Sequence, residues 1–463
     1  MSVRFRSVVV GTPRRPRSKI ELVLERTRGR RWNPLAVVAS IAVLAPAAQA
    51  GSLDYQLGAG VYAGFTDNAL GVPNGSPGSG SDGIVLGRAD LALSLTRQFS
   101  EHRLAYAFSG SRYVRQSGGD ILSNSLVWEA AFQPLTSLRL TSSLGASQGR
   151  LTSLDVSSSS ASGGTTTGPT GPRPAQAMLY VSADAREGMN VELSPRWRIL
   201  QSLTAQGFWP TEPNTQRPSS YSGDVGLGLE RSFARDGVSL DVRGLALQSN
   251  QVNANGVMIQ PQLRSVVGES DLGWRHTWTP VWSHYISGGA LIIDSPTGSG
   301  AQFQPAGLAE LSARRESNEF SLRVQRGVTP NVFAGDVFLS TRVLANASAG
   351  FGKTQKLQLR AFASFDRASA LGNGGENRGG ATVWLAQAVL SYGAPGPLVV
   401  SLEYSFTDQQ AIAPANGQAQ SFFSFRRNLV MVGIEFRYAS LRPLMGGTPR
   451  IRGAGNPAED PRK

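Results

Sequence analysis

Residues that commonly carry out catalysis or bind metals are sparse in this chain. None of the 463 residues is cysteine, which excludes disulfides, thiolate zinc sites and thiol nucleophiles. The three histidines, His102, His276 and His284, lack the spacing of metal ligands, and no Ser/His/acid set can be assigned around them. Residues 350–354, GFGKT, resemble the end of a phosphate-binding loop, but Ala347 stands where that motif requires its first glycine. The sequence therefore predicts a protein that is not an enzyme and has no cofactor or metal site.

Arginines and carboxylates are the remaining side chains that could bind a solute. They recur at alternate positions of otherwise apolar stretches. Arginine forks can hydrogen-bond to the carboxylates or hydroxyls of a passing saccharide, or pair with acids on a neighbouring strand. We expect two such cross-strand pairs, Glu129 with Arg139 and Glu310 with Arg323. The near balance of the two charges argues against a strongly anion-selective pore. Ten of these residues are candidates for lining a pore: Arg88, Asp90, Glu129, Arg139, Arg243, Glu310, Arg323, Arg342, Arg360 and Glu403.

The alternation that carries these residues is typical of β-strands that cross a membrane. In residues 88–96 the odd positions are apolar and the even positions are mostly polar. The same period of two recurs around residues 126–132, 320–325 and 400–407. After residue 50 no apolar run is long enough for a membrane-spanning helix, which needs about 18 residues. The repeated pattern predicts an all-β fold, a transmembrane antiparallel barrel.

The connections between these strands alternate between short and long. Short turns, the first near residues 100–102 and the last near 393–397, interleave with longer segments rich in Gly, Ser, Asn and Pro. Outer-membrane barrels have short turns on the periplasmic side and longer loops outside. We therefore expect a single closed barrel of about 18 strands (16–18), with both termini periplasmic. Its longest loop, 149–175, is long enough to fold inward as a constriction, although a loop that stays outside is the simpler expectation.

Closure of the barrel makes a specific demand on its two ends. A sheet that leaves no free edge must pair its first strand, near residues 53–65, with its last, near 428–438. In antiparallel pairing, this sets Asp54 and Gln56 near Glu435 and Arg437 at the periplasmic rim.

A soluble β-sandwich or propeller would show the same alternation. The composition of the exposed face therefore decides between a soluble all-β fold and a membrane barrel. Soluble sheets keep charged residues on their exposed face. This chain has only four lysines, and none lies within an expected strand: Lys19, Lys353, Lys356 and Lys463. Aromatic residues concentrate at strand ends instead, where the girdles of a transmembrane barrel lie. The membrane barrel is therefore favoured.

Charge and composition divide the chain into three regions. Residues 1–50 carry ten basic and two acidic residues and end in an apolar run with the exit sequence Ala-Gln-Ala, which predicts a secretory signal peptide with an extended basic region. Residues 440–463 are basic and rich in Pro and Gly, which predicts a disordered periplasmic tail. The barrel is expected over 51–439. Because most of the net charge of +13 lies in the two ends, it does not indicate a nucleic-acid binder.

The two ends of the expected barrel resemble the type-two β-barrel porin family. Residues 53–70, LDYQLGAGVYAGFTDNAL, resemble its opening strand, and residues 426–438, RRNLVMVGIEFRY, resemble its last strand. Within that family the chain is similar to the 18-stranded Wzp-type porins of exopolysaccharide export. The resemblance implies an outer-membrane channel that passes a polysaccharide, as the porin of a Wzx/Wzy-type secretion pathway. The tail beyond Tyr438 departs from the family pattern, in which the barrel ends on its last aromatic residue.

The residues themselves leave two other functions open, a general or sugar-selective diffusion porin and a plugged structural barrel. The expected location is the outer membrane of a Gram-negative bacterium. Expected partners are outer-membrane lipid and lipopolysaccharide, a polysaccharide substrate and the barrel assembly machinery, with no nucleic acid. The resemblance adds a Wza-like periplasmic polysaccharide export protein.

Overall fold

The structure is a computed structural model, and its described part is almost entirely β-strand. The expected signal peptide (1–50) and tail (440–463) lie outside the described residues. Within the described part, no helix is long and apolar enough to cross a membrane. The described residues are 52–69, 71–72, 75, 79–116, 120–151, 178–211, 219–250, 262–294, 301–331, 336–352, 354–371, 377–394, 396–412 and 424–439.

The described residues form eighteen strands, most of them long enough to cross a membrane when tilted. In chain order they are β1 (Ser52–Thr66), β2 (Asp82–Arg97), β3 (Ser100–Tyr113), β4 (Ile121–Leu135), β5 (Leu138–Leu151), β6 (Met178–Ser194), β7 (Trp197–Pro210), β8 (Ser219–Ser232), β9 (Asp236–Asn250), β10 (Gln262–Thr277), β11 (Trp282–Asp294), β12 (Gln302–Arg315), β13 (Asn318–Asn331), β14 (Asp336–Phe351), β15 (Leu357–Leu371), β16 (Asn377–Gly393), β17 (Leu398–Ile412) and β18 (Phe425–Ala439).

All of these strands belong to one antiparallel sheet that closes on itself. Each strand pairs with the strands before and after it in the chain, and β1 pairs with β18 to complete the circle. Closure gives the first and last strands backbone hydrogen-bond partners on both sides, which a wall in lipid requires. The predicted single barrel of about 18 strands is therefore confirmed.

The first and last strands pair as expected, but in a different register. The sequence places Asp54 and Gln56 near Glu435, whereas Glu435 lies opposite Gly60, further along β1. The strands of a closed barrel are tilted, so each strand is staggered relative to its neighbour. An alternation pattern does not encode this stagger, and a count along the sequence therefore misses it.

Short turns join successive strands at one rim of the barrel. Eight connections at this rim have between two and five residues. The turn between β14 and β15 contains Gly352 with φ of 79° and Gln355 with φ of 49°, a left-handed backbone that glycine adopts readily. The GFGKT segment therefore ends a strand and begins a turn. At the opposite rim lies the longest connection, 152–177, which is outside the described residues together with the constriction expected there.

The two faces of the wall differ in polarity. Large apolar side chains are exposed at alternate positions, as with Leu53, Leu57 and Val61 on β1 and Val432 and Ile434 on β18. This face looks outward, and the alternate, mostly polar positions face the lumen. Exposed aromatic residues mark the rim of the short turns: Phe99, Trp197, Trp278, Trp282, Tyr392 and Tyr438. The even number of strands and the apolar outer face are those of a barrel in the outer membrane of a Gram-negative bacterium, which is the location of this protein.

Candidate functional site

The lumen face of the barrel is the candidate site, because it gathers polar side chains from all strands. All ten residues singled out in the sequence lie at lumen-facing positions, and their role in lining a conducting pore stays a prediction. Arg139 lies opposite Asn190, and Arg360 is exposed to the lumen. The ten are Arg88, Asp90, Glu129, Arg139, Arg243, Glu310, Arg323, Arg342, Arg360 and Glu403.

Buried carboxylates on the lumen face are held by arginines on nearby strands. Glu230 on β8 is buried and accepts hydrogen bonds from Arg198 on β7 at 2.5 Å and from Arg275 on β10 at 3.4 Å. Asp366 on β15 is buried and accepts a 2.8 Å hydrogen bond from Nη2 of Arg342 on β14. Removing one member of such a pair leaves an uncompensated buried charge, which is costly. These pairs therefore join neighbouring strands of the wall.

The structure corrects one expected ion pair and bears out the register of the other. The Glu129–Arg139 pair is wrong, because Glu129 instead accepts a 3.2 Å hydrogen bond from Arg103 on β3. On β5, Ser143 lies opposite Glu129, four residues beyond Arg139, and the one-residue register shift near the turn accounts for only part of this difference. Glu310 and Arg323 do lie directly opposite each other on β12 and β13.

A second network crosses the seam where the barrel closes. Arg88 on β2 reaches Glu403 on β17 at 3.8 Å, over the two strands between them. Its guanidinium carbon also lies 4.6 Å from the centre of the Tyr62 ring, and the Tyr62 hydroxyl donates a hydrogen bond to Glu435. The ring fits because it lies on Gly433, where any Cβ would collide with it. Four strands are thus tied together from the inside.

One hairpin leaves the barrel wall and folds into the lumen. Pairing between β12 and β13 ends at Gly307 and Arg326, although β12 begins at Gln302 and β13 continues to Asn331. Beyond that point β13 pairs with β14 alone, and Cα atoms of β14 come within 8 Å of Cα atoms of β9 and β10. These strands are five and four places away around the wall. Such contacts require the loop-side ends of β13 and β14, here called the tucked hairpin (327–331 and 336–339), to lie inside the barrel.

An apolar cluster holds the tucked hairpin against the inner wall. Val328 and Val337 of the hairpin are 5% and 0% exposed. They pack in one cluster with Leu247 of β9, Val267 of β10 and Leu291 of β11, all of them buried. Burying a side chain of this size contributes about 1.5–3 kcal/mol, so the cluster is a substantial anchor.

The alternation of the strands explains which faces meet. Val328 shares its face of β13 with Val324, which is exposed to lipid, so the outward face of the hairpin is the one that packs. Its partners Leu245 and Leu247 share their face of β9 with Arg243, which faces the lumen. The wall therefore overlaps itself at this point: the outward face of the tucked hairpin lies on the lumen face of β9–β11.

Beside the tucked hairpin, the lumen face of β8–β10 carries more carboxylates than arginines among the described residues. Arg243 forms an ion pair with Glu269 at 3.6 Å, while Asp241 and Asp271 lie directly opposite each other. A Cβ placed on Gly327 of the hairpin would lie 3.7 Å from Oε1 of Glu269, so the two elements are adjacent. Like charges opposite each other are destabilising. Because the carboxylates here outnumber the arginines, this part of the wall carries net negative charge in the lumen. We call it the acidic patch: Asp224, Asp241, Arg243, Glu269 and Asp271.

Metal binding is not supported by the part of the chain that the structure describes. No group of three or more His, Asp or Glu side chains there could hold a metal ion. His276 and His284 lie opposite each other on the outer face, and Nδ1 of His276 is 2.8 Å from Oδ1 of Asp236. His102 lies on the same outer face, stacked on Trp128. All three histidines are therefore outside the lumen.

Comparison with known proteins gives likeness of fold alone. No protein-family model and no curated protein sequence matches the chain. Among solved structures it is similar to the outer membrane protein opdK from Pseudomonas aeruginosa, at 11% identity and a TM-score of 0.40, over 84% of this chain and 99% of that one. It is also similar to OccK2 (OpdF) of Pseudomonas aeruginosa in complex with glucuronate, at 12% identity and a TM-score of 0.41, over 85% and 100% of the two chains.

A third similar structure is a BenF-like porin from Pseudomonas fluorescens Pf-5, at 10% identity and a TM-score of 0.42, over 84% of this chain and 99% of that chain. The assignment of this chain as a porin-type barrel rests on its own strand pairing and closure. A closer kinship with Wzp-type porins stays a prediction.

Proposed function

We propose that this protein is a diffusion porin that passes small polar or charged solutes across the outer membrane. The observation that carries the proposal is the tucked hairpin, which narrows an otherwise wide barrel beside the acidic patch. Eighteen strands enclose a water-filled lumen roughly 18 Å in backbone radius. A second sheet layer inside it occupies about 10 Å. It leaves a passage roughly 16 Å wide, which admits sugars and amino acids and restricts bulky polymers.

The aromatic residues of the lumen face favour small solutes over a polysaccharide. A channel for a sliding sugar polymer would benefit from exposed rings on which successive residues stack. Five aromatic residues at lumen-facing positions are buried: Tyr62, Tyr113, Phe208, Phe338 and Phe425. Three others are partly buried: Tyr180, Tyr285 and Phe362. These rings mostly pack the inner wall and include no fully exposed ring on which a polymer could stack. The polysaccharide export implied by the family resemblance therefore has less support from this lumen than diffusion does.

The charge distribution supports a preference among small solutes. The acidic patch places several carboxylates beside the tucked hairpin, with Arg243 as the only arginine within it. Rings or walls of carboxylates attract cations in channels. The patch contains three more carboxylates than arginines, whereas other buried lumen carboxylates, such as Glu230 and Asp366, are held by arginines. We expect modest cation preference.

Reconstitution into planar bilayers tests the proposal. Steady conductance in KCl, with a reversal potential on the cation side, is the expected result. Liposome swelling with a series of neutral sugars then gives the size limit, and we expect rapid entry of monosaccharides and disaccharides and progressively slower entry of longer oligosaccharides. Absence of any current from folded protein would indicate a plugged structural barrel. Free passage of long dextrins would contradict the narrowing and favour polymer export.

A further inference from the structure

We propose that the outer surface of β13–β15 binds a lipid-borne phosphate of the outer leaflet through Arg326 and Arg367. This inference concerns the face of the wall that looks into the membrane. It is independent of what passes through the lumen, so the proposed function can fail without affecting it.

The two arginines lie in one row across three neighbouring strands. Arg326 of β13 is opposite Thr341 of β14, which is in turn opposite Arg367 of β15. Both arginine side chains are exposed and share their faces with outward residues, Val324 on β13 and Phe365 on β15. Nη1 of Arg326 donates a 3.3 Å hydrogen bond to Oγ1 of Thr341. The row is therefore a polar strip on the outside of the barrel.

This strip lies directly beside an apolar part of the wall. The next outward positions toward the short turns are Val324, Val343 and Phe365. The Phe365 ring packs on Trp384 of β16 with centroids 4.4 Å apart, and Trp384 is exposed. Aromatic rings in a barrel wall mark the boundary between hydrocarbon and headgroups. The arginine row thus begins where the headgroups begin, on the side of the longer connections.

The charge of the row is not balanced by the protein. Along the outward face of β12–β16, the described positions include no Asp or Glu. Neither arginine has an ion pair with a described residue, whereas Arg426 on β18, also outward, lies 3.6 Å from Asp408. The cost of an arginine on the lipid face falls toward the interface, so the row is expected at the level of the headgroups. A headgroup phosphate is the anion available there.

The spacing suits one phosphate held from two sides. Strands two apart in a sheet are separated by about 10 Å. Two extended arginine side chains can converge from that distance above Thr341, whose hydroxyl adds a third donor. Guanidinium groups bind phosphate through paired N–H donors in a fixed fork. A phosphate carried by a lipid also places its acyl chains against the apolar wall beside the row.

Native mass spectrometry of the detergent-solubilised protein tests the inference, with diphosphoryl lipid A as the probe. The double variant Arg326→Gln/Arg367→Gln should bind it at least about tenfold more weakly than the unchanged protein, because two charge-assisted contacts are lost. The matched control is Arg426→Gln, an outward arginine that already has a carboxylate partner, and it should bind normally. Arg326→Lys/Arg367→Lys, which keeps the charge, should recover part of the affinity.

Three results would overturn the inference: unchanged binding by the double variant, an equal loss in Arg426→Gln, or equal binding of the dephosphorylated lipid. Displacement of the lipid by millimolar inorganic phosphate would identify a site for free phosphate and would equally refute a lipid-borne one. Folding of each variant is checked by heat-modifiable migration in gels. Conductance of the double variant should equal that of the unchanged protein, which separates this test from that of the proposed function.

Discussion

Removing the tucked hairpin should widen the channel without opening the barrel. Gly327 and Ser340 are directly paired on β13 and β14, so residues 328–339 can be replaced by Asn-Gly, which closes a two-residue hairpin turn. The change deletes Val328 and Val337, which anchor the hairpin to the inner wall. Pairing of β12 with β13 up to Gly307 is left intact.

The size of the effect follows from the geometry of the barrel. A backbone radius of roughly 18 Å, less about 5 Å of side chains on each side, leaves an open width of roughly 26 Å. A second sheet layer about 10 Å thick on one side of that circle covers about one third of its area. If the remaining segment limits the current, excision raises single-channel conductance by about 1.5-fold.

Single-channel recording in planar bilayers measures this ratio directly. The control is Val324→Ser on the same strand, an outward residue in lipid that has no contact with the lumen. It should leave the conductance unchanged. Equal conductance of the unchanged protein and a folded excision variant would show that the hairpin does not limit the passage. The narrowing, and with it the argument for small solutes, would then be refuted.

Three further predictions concern the lumen face. Asp241→Asn combined with Asp271→Asn should move the reversal potential in a KCl gradient toward zero, and an unmoved potential would mean that the acidic patch lies off the current path. Leu247→Ala should lower the free energy of unfolding by about 2–4 kcal/mol in urea titrations, whereas Leu240→Ala on the lipid side of β9 should cost less because it leaves no buried cavity. Glu230→Gln should destabilise the barrel by about 1–3 kcal/mol, since it leaves arginines without their buried counter-charge; equal stability in the same titration would exclude a structural role.

The strand count could be predicted from the sequence because it depends on local signals. Alternation fixes which side chains share a face, and turn composition marks where each strand ends. Both signals are present in most strands, as at residues 88–96 and 400–407, and the count of eighteen strands follows from them. Pairs across a short turn were predictable for Glu310 and Arg323, which lie opposite each other as counted. The prediction failed for Glu129, which lies opposite Ser143, four residues beyond Arg139, because alternation does not distinguish registers that differ by an even number of residues.

The tucked hairpin could not be predicted in the same way, because its residues satisfy two different environments. Val328 and Val337 have the residue type and the spacing of lipid-facing positions, and lipid or a dry inner wall would bury either equally well. The Gly, Pro and Asn content of residues 327–335 predicts a loop, whereas residues 327–331 belong to β13. The usable signal lay elsewhere, on β9 and β11. Leu247 and Leu291 are apolar at positions where the alternation predicts lumen-facing polar residues. Apolar side chains at such positions indicate that another apolar segment covers them.

The place where the hairpin leaves the wall is set by the membrane. Strands with an unpaired edge do not occur in hydrocarbon, because nothing there can satisfy the free backbone groups. β12 and β13 stay paired up to the opposite residues Gly307 and Arg326, and the two strands separate only beyond this pair. Pro305 and Pro330, which lack a backbone donor, both lie past that pair, where proline is tolerated. Arg326 thus belongs both to the last residue pair of the closed wall and to the row proposed to meet headgroup phosphate. If the hydrocarbon reached higher than this row, the unpaired backbone of β12 and β13 would be exposed to lipid and the tucked hairpin could not leave the wall. The position of the tucked hairpin and the proposed headgroup site of Arg326 therefore constrain each other.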